Sequence, residues 1–114
     1  MNRAEQTTKD TEELLSFFAA LADPTRLRLV RLLCRQREPD ALCVNALAHH
    51  LGVSQSAVSQ HLRVLRAARL VMGERRGYRV HYFVSQEALR RFQELISAVL
   101  HPGEEAVSDK PSER

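Results

Sequence analysis

The sequence predicts a mainly α-helical chain with one small β-hairpin, in the order α-α-(β)-α-α-β-β-α, on three observations. The stretch Asn45 to Leu65, NALAHHLGVSQSAVSQHLRVL, divides at Gly52 into two short amphipathic segments. Past it, Arg76-Gly77-Tyr78 carries a tight-turn signal between two runs of extended character. On either side of this unit, apolar residues recur at three and four, the spacing of amphipathic helices. Two helices across a tight turn followed by a hairpin make a winged helix-turn-helix.

Length and charge bound the answer. The 114 residues fit one domain, and 44% hydrophobic with 27% charged residues is a soluble globular profile. No apolar run approaches a membrane span, and MNRAEQTTKDTEE lacks the apolar segment of a secretory signal, so the expected location is the cytoplasm. Two cysteines, Cys34 and Cys43, are too few for a disulfide framework and fit a reducing compartment. The net charge is only +3, yet residues 24–101 hold 13 Arg, no Lys and five acids, while both ends are net acidic. A basic middle made of arginine suits phosphate and guanine contacts, and also follows from a GC-rich genome.

Residues 1–10 are polar and expected to be flexible. From Thr11 to Ala22, Leu14, Leu15, Phe17, Phe18 and Leu21 give an amphipathic helix with a strongly apolar face. Asp23-Pro24 breaks the chain and restarts it, with Asp23 as N-cap and Pro24 in the first turn. The second helix, to about Gln36, buries Leu29, Val30, Leu32 and Leu33 and turns Arg28, Arg31 and Arg35 to solvent. Arg37 to Ala41 is a polar loop, and Leu42-Cys43-Val44 suits one short strand, after which Asn45 can cap the next helix.

In that third helix Leu47 and Leu51 form an apolar stripe and Gly52 supplies its positive-φ end. Ser54 caps the fourth, where Val58, Leu62 and Leu65 face a core. Its opposite face carries Gln55, Ser56, Ser59, Gln60 and Arg63. A merely solvated helix favours Glu and Lys, whereas a helix that reads base edges in a major groove uses hydroxyls, amides and Arg. The fourth helix is therefore the expected recognition helix.

Arg69 stands where a helix-ending turn prefers Gly. Val71 to Arg75 and Arg79 to Val84 are the strands of a wing whose tip bears Arg75, Arg76 and Arg79 against Glu74. The plain reading of that tip is a solvated hairpin; its position directly after a helix-turn-helix favours contact with a DNA backbone or minor groove. Ser85 caps a last helix, Gln86 to about Leu100, with Leu89, Phe92, Ile96 and Val99 on one stripe. His101-Pro102-Gly103 stops it, and residues 102–114 are expected to be a disordered tail. Residues 11–101 thus form the predicted DNA-binding and dimerisation domain. A winged core needs only Pro24 to Val84, so the outer helices, with Phe17, Phe18 and Phe92, are expected to pair with their copies in a homodimer.

Read in this order, ALADPTRLRLVRLL, LCVNALAHHLGVSQSAVSQHLRVLRAARLV and GERRGYRVHYFV, about residues 19–84, resemble the ArsR/SmtB family of bacterial winged-helix repressors. Arg69-Leu70-Val71 is similar to the SmtB branch, where Arg also replaces the usual Gly. The resemblance implies a homodimer that binds double-stranded DNA at an inverted repeat and lets go when an inducer, usually a metal or metalloid ion, binds. It puts base reading on Gln55, Ser56, Ser59 and Gln60, beside Arg63, and wing contacts on Arg75, Arg76 and Arg79.

The family's inducer sites carry over poorly. Metal-sensing relatives have LCVCDL at the start of the third helix; here the stretch is Leu42-Cys43-Val44-Asn45-Ala46-Leu47, which keeps the first Cys and loses the second Cys and the Asp. The site on the last helix aligns with Gln86, Ala88, Val99 and Pro102, none a metal ligand. No metal is predicted at family-typical positions. Cys34 and Cys43 remain as candidates for a thiol switch, or for arsenite or another thiophilic metal; the plainer readings are a buried small hydrophobe for Cys34 and an apolar strand residue for Cys43.

His49 and His50 diverge by about 100° on their helix and cannot chelate well together. His61 sits near the core edge, where it hydrogen-bonds locally or contacts DNA, while His81 and His101 lack partners at ligand spacing.

Catalytic constellations are absent from the sequence: there is no Ser-His-Asp or Cys-His arrangement, phosphate loop or paired carboxylates. The leading expectation is a sequence-specific transcriptional repressor. The alternatives are a winged-helix protein interaction module without DNA binding, or a family member with no metal inducer.

Overall fold

The computed structural model describes residues 2–37, 41–101 and 107–109. Its elements are α1 (Arg3–Leu21), α2 (Pro24–Arg35), α3 (Val44–Leu51), α4 (Gln55–Ala67), β1 (Val71–Arg76), β2 (Arg79–Val84) and α5 (Gln86–Leu100). The winged helix-turn-helix order is therefore the observed one.

Several helix boundaries follow from caps the sequence displays. Asp23 accepts the Arg26 amide at 3.0 Å, with Pro24 at the start of α2. Ser54 accepts from Ala57 N–H at 3.1 Å and Ser85 from Ala88 N–H at 3.1 Å. Gly52, at φ 66°, ends α3 in the left-handed region that a Cβ disfavours.

Arg69 adopts φ 62° at the end of α4. Its N–H donates to Arg66 O at 2.9 Å and Leu70 N–H reaches Leu65 O at 3.0 Å, a Schellman arrangement built on an arginine at a cost of about 1 kcal/mol. The full burial of Leu65 and Leu70 beneath that turn holds the strained residue in place.

Two boundaries differ from expectation. Helix α1 begins at Arg3 rather than Thr11, so residues 3–10, expected to be flexible, are helical. They bury nothing that periodicity could reveal; a cap at Asn2 starts them, and the hydroxyls on this stretch turn inward to the backbone. Asn2 Oδ1 accepts Glu5 N–H at 2.9 Å, and the hydroxyls of Thr7, Thr8 and Thr11 donate to carbonyls one turn back.

The expected strand at Leu42–Val44 is reduced to one bridge, Cys43 to His81, with Tyr82 N–H donating to Leu42 O at 3.1 Å. Val44 is already helical, so Cys43, not Asn45, is the residue before α3. The polar loop falls partly on residues 38–40 and the tail mostly on 102–106 and 110–114, outside the described residues.

The core runs through every element. Leu29 of α2, Leu47 of α3, Val58, Leu62 and Leu65 of α4, and Leu95 of α5 are essentially inaccessible. Strands β1 and β2 pair antiparallel, Val71 opposite Val84 and Arg76 opposite Arg79, across Gly77-Tyr78. The Tyr82 ring occupies the space above Gly73, where a Cβ would stand 2.8 Å from Val80 Cγ1 and 3.2 Å from Tyr82 Cε1.

Helices α1 and α5 are joined by Phe17 stacking on Phe92 (centroids 5.2 Å) and by Arg91, which grips Glu13 at 3.0 and 2.9 Å and Asp10 at 3.3 Å. Arg91 thereby holds the Glu13 carboxyl below its ordinary pKa. Leu15 (59%), Phe18 (42%) and Leu100 (64%) stay exposed on this pair, and Leu32, expected in the core, is only half-buried. Among the described residues, no helix is long and apolar enough to cross a membrane.

Candidate nucleic-acid interface

Burial of Val58, Leu62 and Leu65 fixes the rotation of α4 and turns Gln55, Ser56, Ser59, Gln60 and Arg63 outward, all exposed. Gln55 is the first residue of the helix, and its Nε2 donates to Asn45 Oδ1 of α3 at 3.1 Å. The Ser56 hydroxyl lies 3.3 Å from that of Ser54. The side chains of Ser59, Gln60 and Arg63 make no hydrogen bond or ion pair with the described residues, so the face is open to a partner.

The wing does not present its arginines equally. Arg75 and Arg79 are exposed; Arg75 Nη1 donates to Gly77 O at 3.3 Å, bracing the turn. Arg76 is half-buried: its guanidinium lies 5.1 Å from the Phe83 ring centroid and its Nε 3.7 Å from Glu74 Oε1. The arginine set expected at the tip is thus split, with two residues outward and one folded over the wing's own surface.

One of the two thiols departs from expectation. Cys34, read as a buried hydrophobe, is exposed because it sits on the flank of α2 beside rather than beneath Leu33. It lines an open groove with Leu33, Met72 and Phe83, and partial desolvation there raises its pKa. Cys43 is half-buried at the head of α3. The Ala46 amide, followed by that of Asn45 and the charge of Arg79, lowers its pKa although no full cap hydrogen bond forms.

Both cysteines are free. Among the described residues, no three His, Cys, Asp or Glu side chains are grouped to hold a metal ion. His49 and His50 are exposed, as is His101. His81 lies across from Cys43 with Nδ1 buried and unpartnered.

Two features were not visible in the sequence. Gln36 donates from Nε2 to Tyr82 O and accepts Leu42 N–H at 2.9 Å, stitching the end of α2 to the wing. Arg26 donates from Nε to Ala20 O at 2.6 Å, closing the end of α1, whose last turn holds no cation. It also approaches His61 Nδ1 at 3.5 Å, while Asp23 Oδ2 lies 4.0 Å from the same nitrogen. With Nδ1 unprotonated His61 accepts from Arg26, and with it protonated it faces the Asp23 carboxylate, so either form sets this residue of α4 against the α1–α2 corner.

A helix-turn-helix with an exposed polar second helix and an arginine-tipped hairpin defines the class of winged helix-turn-helix regulators. Residues 23–72 match the model of the arsR family of bacterial regulatory proteins. The nodulation protein NolR of Rhizobium meliloti is 36% identical over 103 residues, 90% of this chain and 81% of that protein. A transcriptional repressor SmtB homolog of Synechocystis is 51% identical over 71 residues, 62% of this chain and about half (51%) of that protein. An ArsR-like transcriptional regulator from Rhodococcus superposes with a TM-score of 0.70 at 30% identity, covering 78% of this chain and 80% of that one. The chain belongs to the ArsR family and is a winged helix-turn-helix transcriptional regulator.

Proposed function

We propose that the protein is a homodimeric transcriptional repressor that binds an inverted-repeat operator in double-stranded DNA and is released by a thiol-directed inducer. The observation that carries DNA binding is the exposed face of α4, five polar residues free of acids, next to the outward Arg75 and Arg79. Hydroxyl and amide groups supply base-edge contacts, while the arginines supply phosphate contacts.

Exposed Leu15, Phe18 and Leu100 on the α1–α5 pair support self-association, which would set two recognition helices about one DNA turn apart. Cys43 supports a thiol-directed signal: its thiolate is favoured at the head of α3, and it shares a cleft of about 330 Å³ with Asn45, Gln55 and Arg79. With one thiol beside two amides in that cleft, an agent that reacts with a single thiolate fits that chemistry better than a chelated zinc or nickel ion. Release needs only that the bound inducer favour a conformation that binds DNA less well.

The test is selection of binding sites from random duplex DNA, followed by affinity measurements on variants. Gln55→Ala and Ser59→Ala are expected to alter the selected sequence. Arg75→Ala with Arg79→Ala is expected to weaken binding to all sequences and flatten the salt dependence. Failure to select any sequence would favour a protein interaction module.

A further inference from the structure

We propose that Asn45 is a positioning residue for operator reading: it holds the Gln55 amide across the gap between α3 and α4 so that Gln55 reads an adenine. This rests on the DNA-binding role proposed above. Gln55 is the first residue of α4, at the end that enters a major groove in helix-turn-helix proteins. Left alone, an exposed glutamine samples many rotamers, and ordering it on DNA costs entropy. Here its Nε2 already donates to Asn45 Oδ1 at 3.1 Å.

Among the described residues the Gln55 amide makes no other hydrogen bond. Its Oε1 and second N–H therefore remain as an adjacent acceptor and donor. That pair complements the N6 donor and N7 acceptor that adenine shows in the major groove. Asn45 is also fixed in place, in the first turn of α3, whose Leu47 and Leu51 are buried and whose end is closed by Gly52. The position is the one that the resemblance aligns with the second Cys of the metal-sensing pattern LCVCDL; here it carries an amide bonded to the recognition helix.

The test compares the full-length chain with Asn45→Ala and Asn45→Asp. For each, affinities are measured on the selected operator and on variants with every base at each position. Asn45 is exposed, and circular dichroism checks that both variants keep the wild-type fold.

In the wild type, one adenine is expected to be preferred by roughly tenfold or more, the range of a bidentate amide contact, with the preference removed by Gln55→Ala. Asn45→Ala should reduce that preference to about twofold or less and leave the other positions alone. Asn45→Asp keeps an acceptor for Gln55 Nε2, so it should retain the preference while its added charge weakens binding to every sequence alike.

A Gln55-dependent preference that survives Asn45→Ala would overturn the positioning role with DNA reading intact. Equal loss at all positions in Asn45→Ala, or loss of the preference in Asn45→Asp, would also overturn it. Absence of any sequence preference in the wild type would overturn the DNA-binding reading along with it.

Discussion

At the scale of single residues, the two thiols show that a cysteine's exposure does not by itself set its pKa. Cys34 is the more exposed, yet desolvation raises its pKa; Cys43 is more covered, yet amides at the head of α3 and nearby Arg79 lower its own. A lowered thiol pKa means a larger thiolate fraction at neutral pH, and the thiolate is the nucleophile. As pH rises from 6 to 9, iodoacetamide should therefore modify Cys43 at lower pH than Cys34, with mass spectrometry reporting each site. Modification of Cys34 at the lower pH would contradict the electrostatic reading of the α3 head. The sequence displayed both cysteines but hid these environments: Cys34 lies among apolar neighbours in sequence while its side of α2 faces an open groove, and the charge near Cys43 comes from Arg79 on another element.

Among elements, the wing depends on a side chain that no local pattern singles out. Gln36 serves one carbonyl of β2 and one amide of the segment leading to α3, two groups brought together only by the tertiary fold. Gln36→Leu leaves both without that partner, at about 1–3 kcal/mol for a buried polar group and less where water enters. A lower urea midpoint with an unchanged slope is expected; no change in the midpoint would show that the stitch contributes nothing.

Spans of α2, α4, β2 and α5 were legible from caps and apolar periodicity: Asp23, Ser54 and Ser85 mark helix starts, buried Leu and Val repeat on one face of α2 and α4, and in α5 the stripe of Leu89, Phe92, Ile96 and Val99 is half-buried around a buried Leu95. The start of α1 was not, since Asn2 and the threonines act through backbone hydrogen bonds that leave no hydrophobic period. The outer face of α4 was legible for the same geometric reason as its core face. The folding of Arg76 over Phe83 was not, because it needs the hairpin register.

For the whole molecule, the α1–α5 pair groups Leu15, Phe18 and Leu100 as exposed apolar side chains, while Leu27, Val64, Met72 and Tyr78 are exposed elsewhere. Phe18 packs edge-on against Phe92 at 5.4 Å while staying 42% exposed, so part of its ring faces solvent, where the proposed dimer would cover it. Phe18→Glu should convert a dimer to a monomer in sedimentation at micromolar concentration and weaken operator binding, with the helical signal retained; an unchanged dimer would place the contact elsewhere. Acid should also loosen this pair. Since Glu13 has a lowered pKa in the folded chain, its contribution is complete above the unfolded value of about 4.3 and is lost as pH falls through the folded value. Both partners are more than one-third exposed, so the effect is below about 1 kcal/mol.

DNA binding through the α4 face and the wing is the central claim, and a salt series tests it most directly. Affinity of the chain for the operator selected from random duplex DNA, compared with a scrambled duplex, should fall linearly in log–log form with a slope of about −0.9 per phosphate contacted, and the operator should bind tighter by about 10³ or more. Equal affinity for the two duplexes, or binding indifferent to salt, would contradict it.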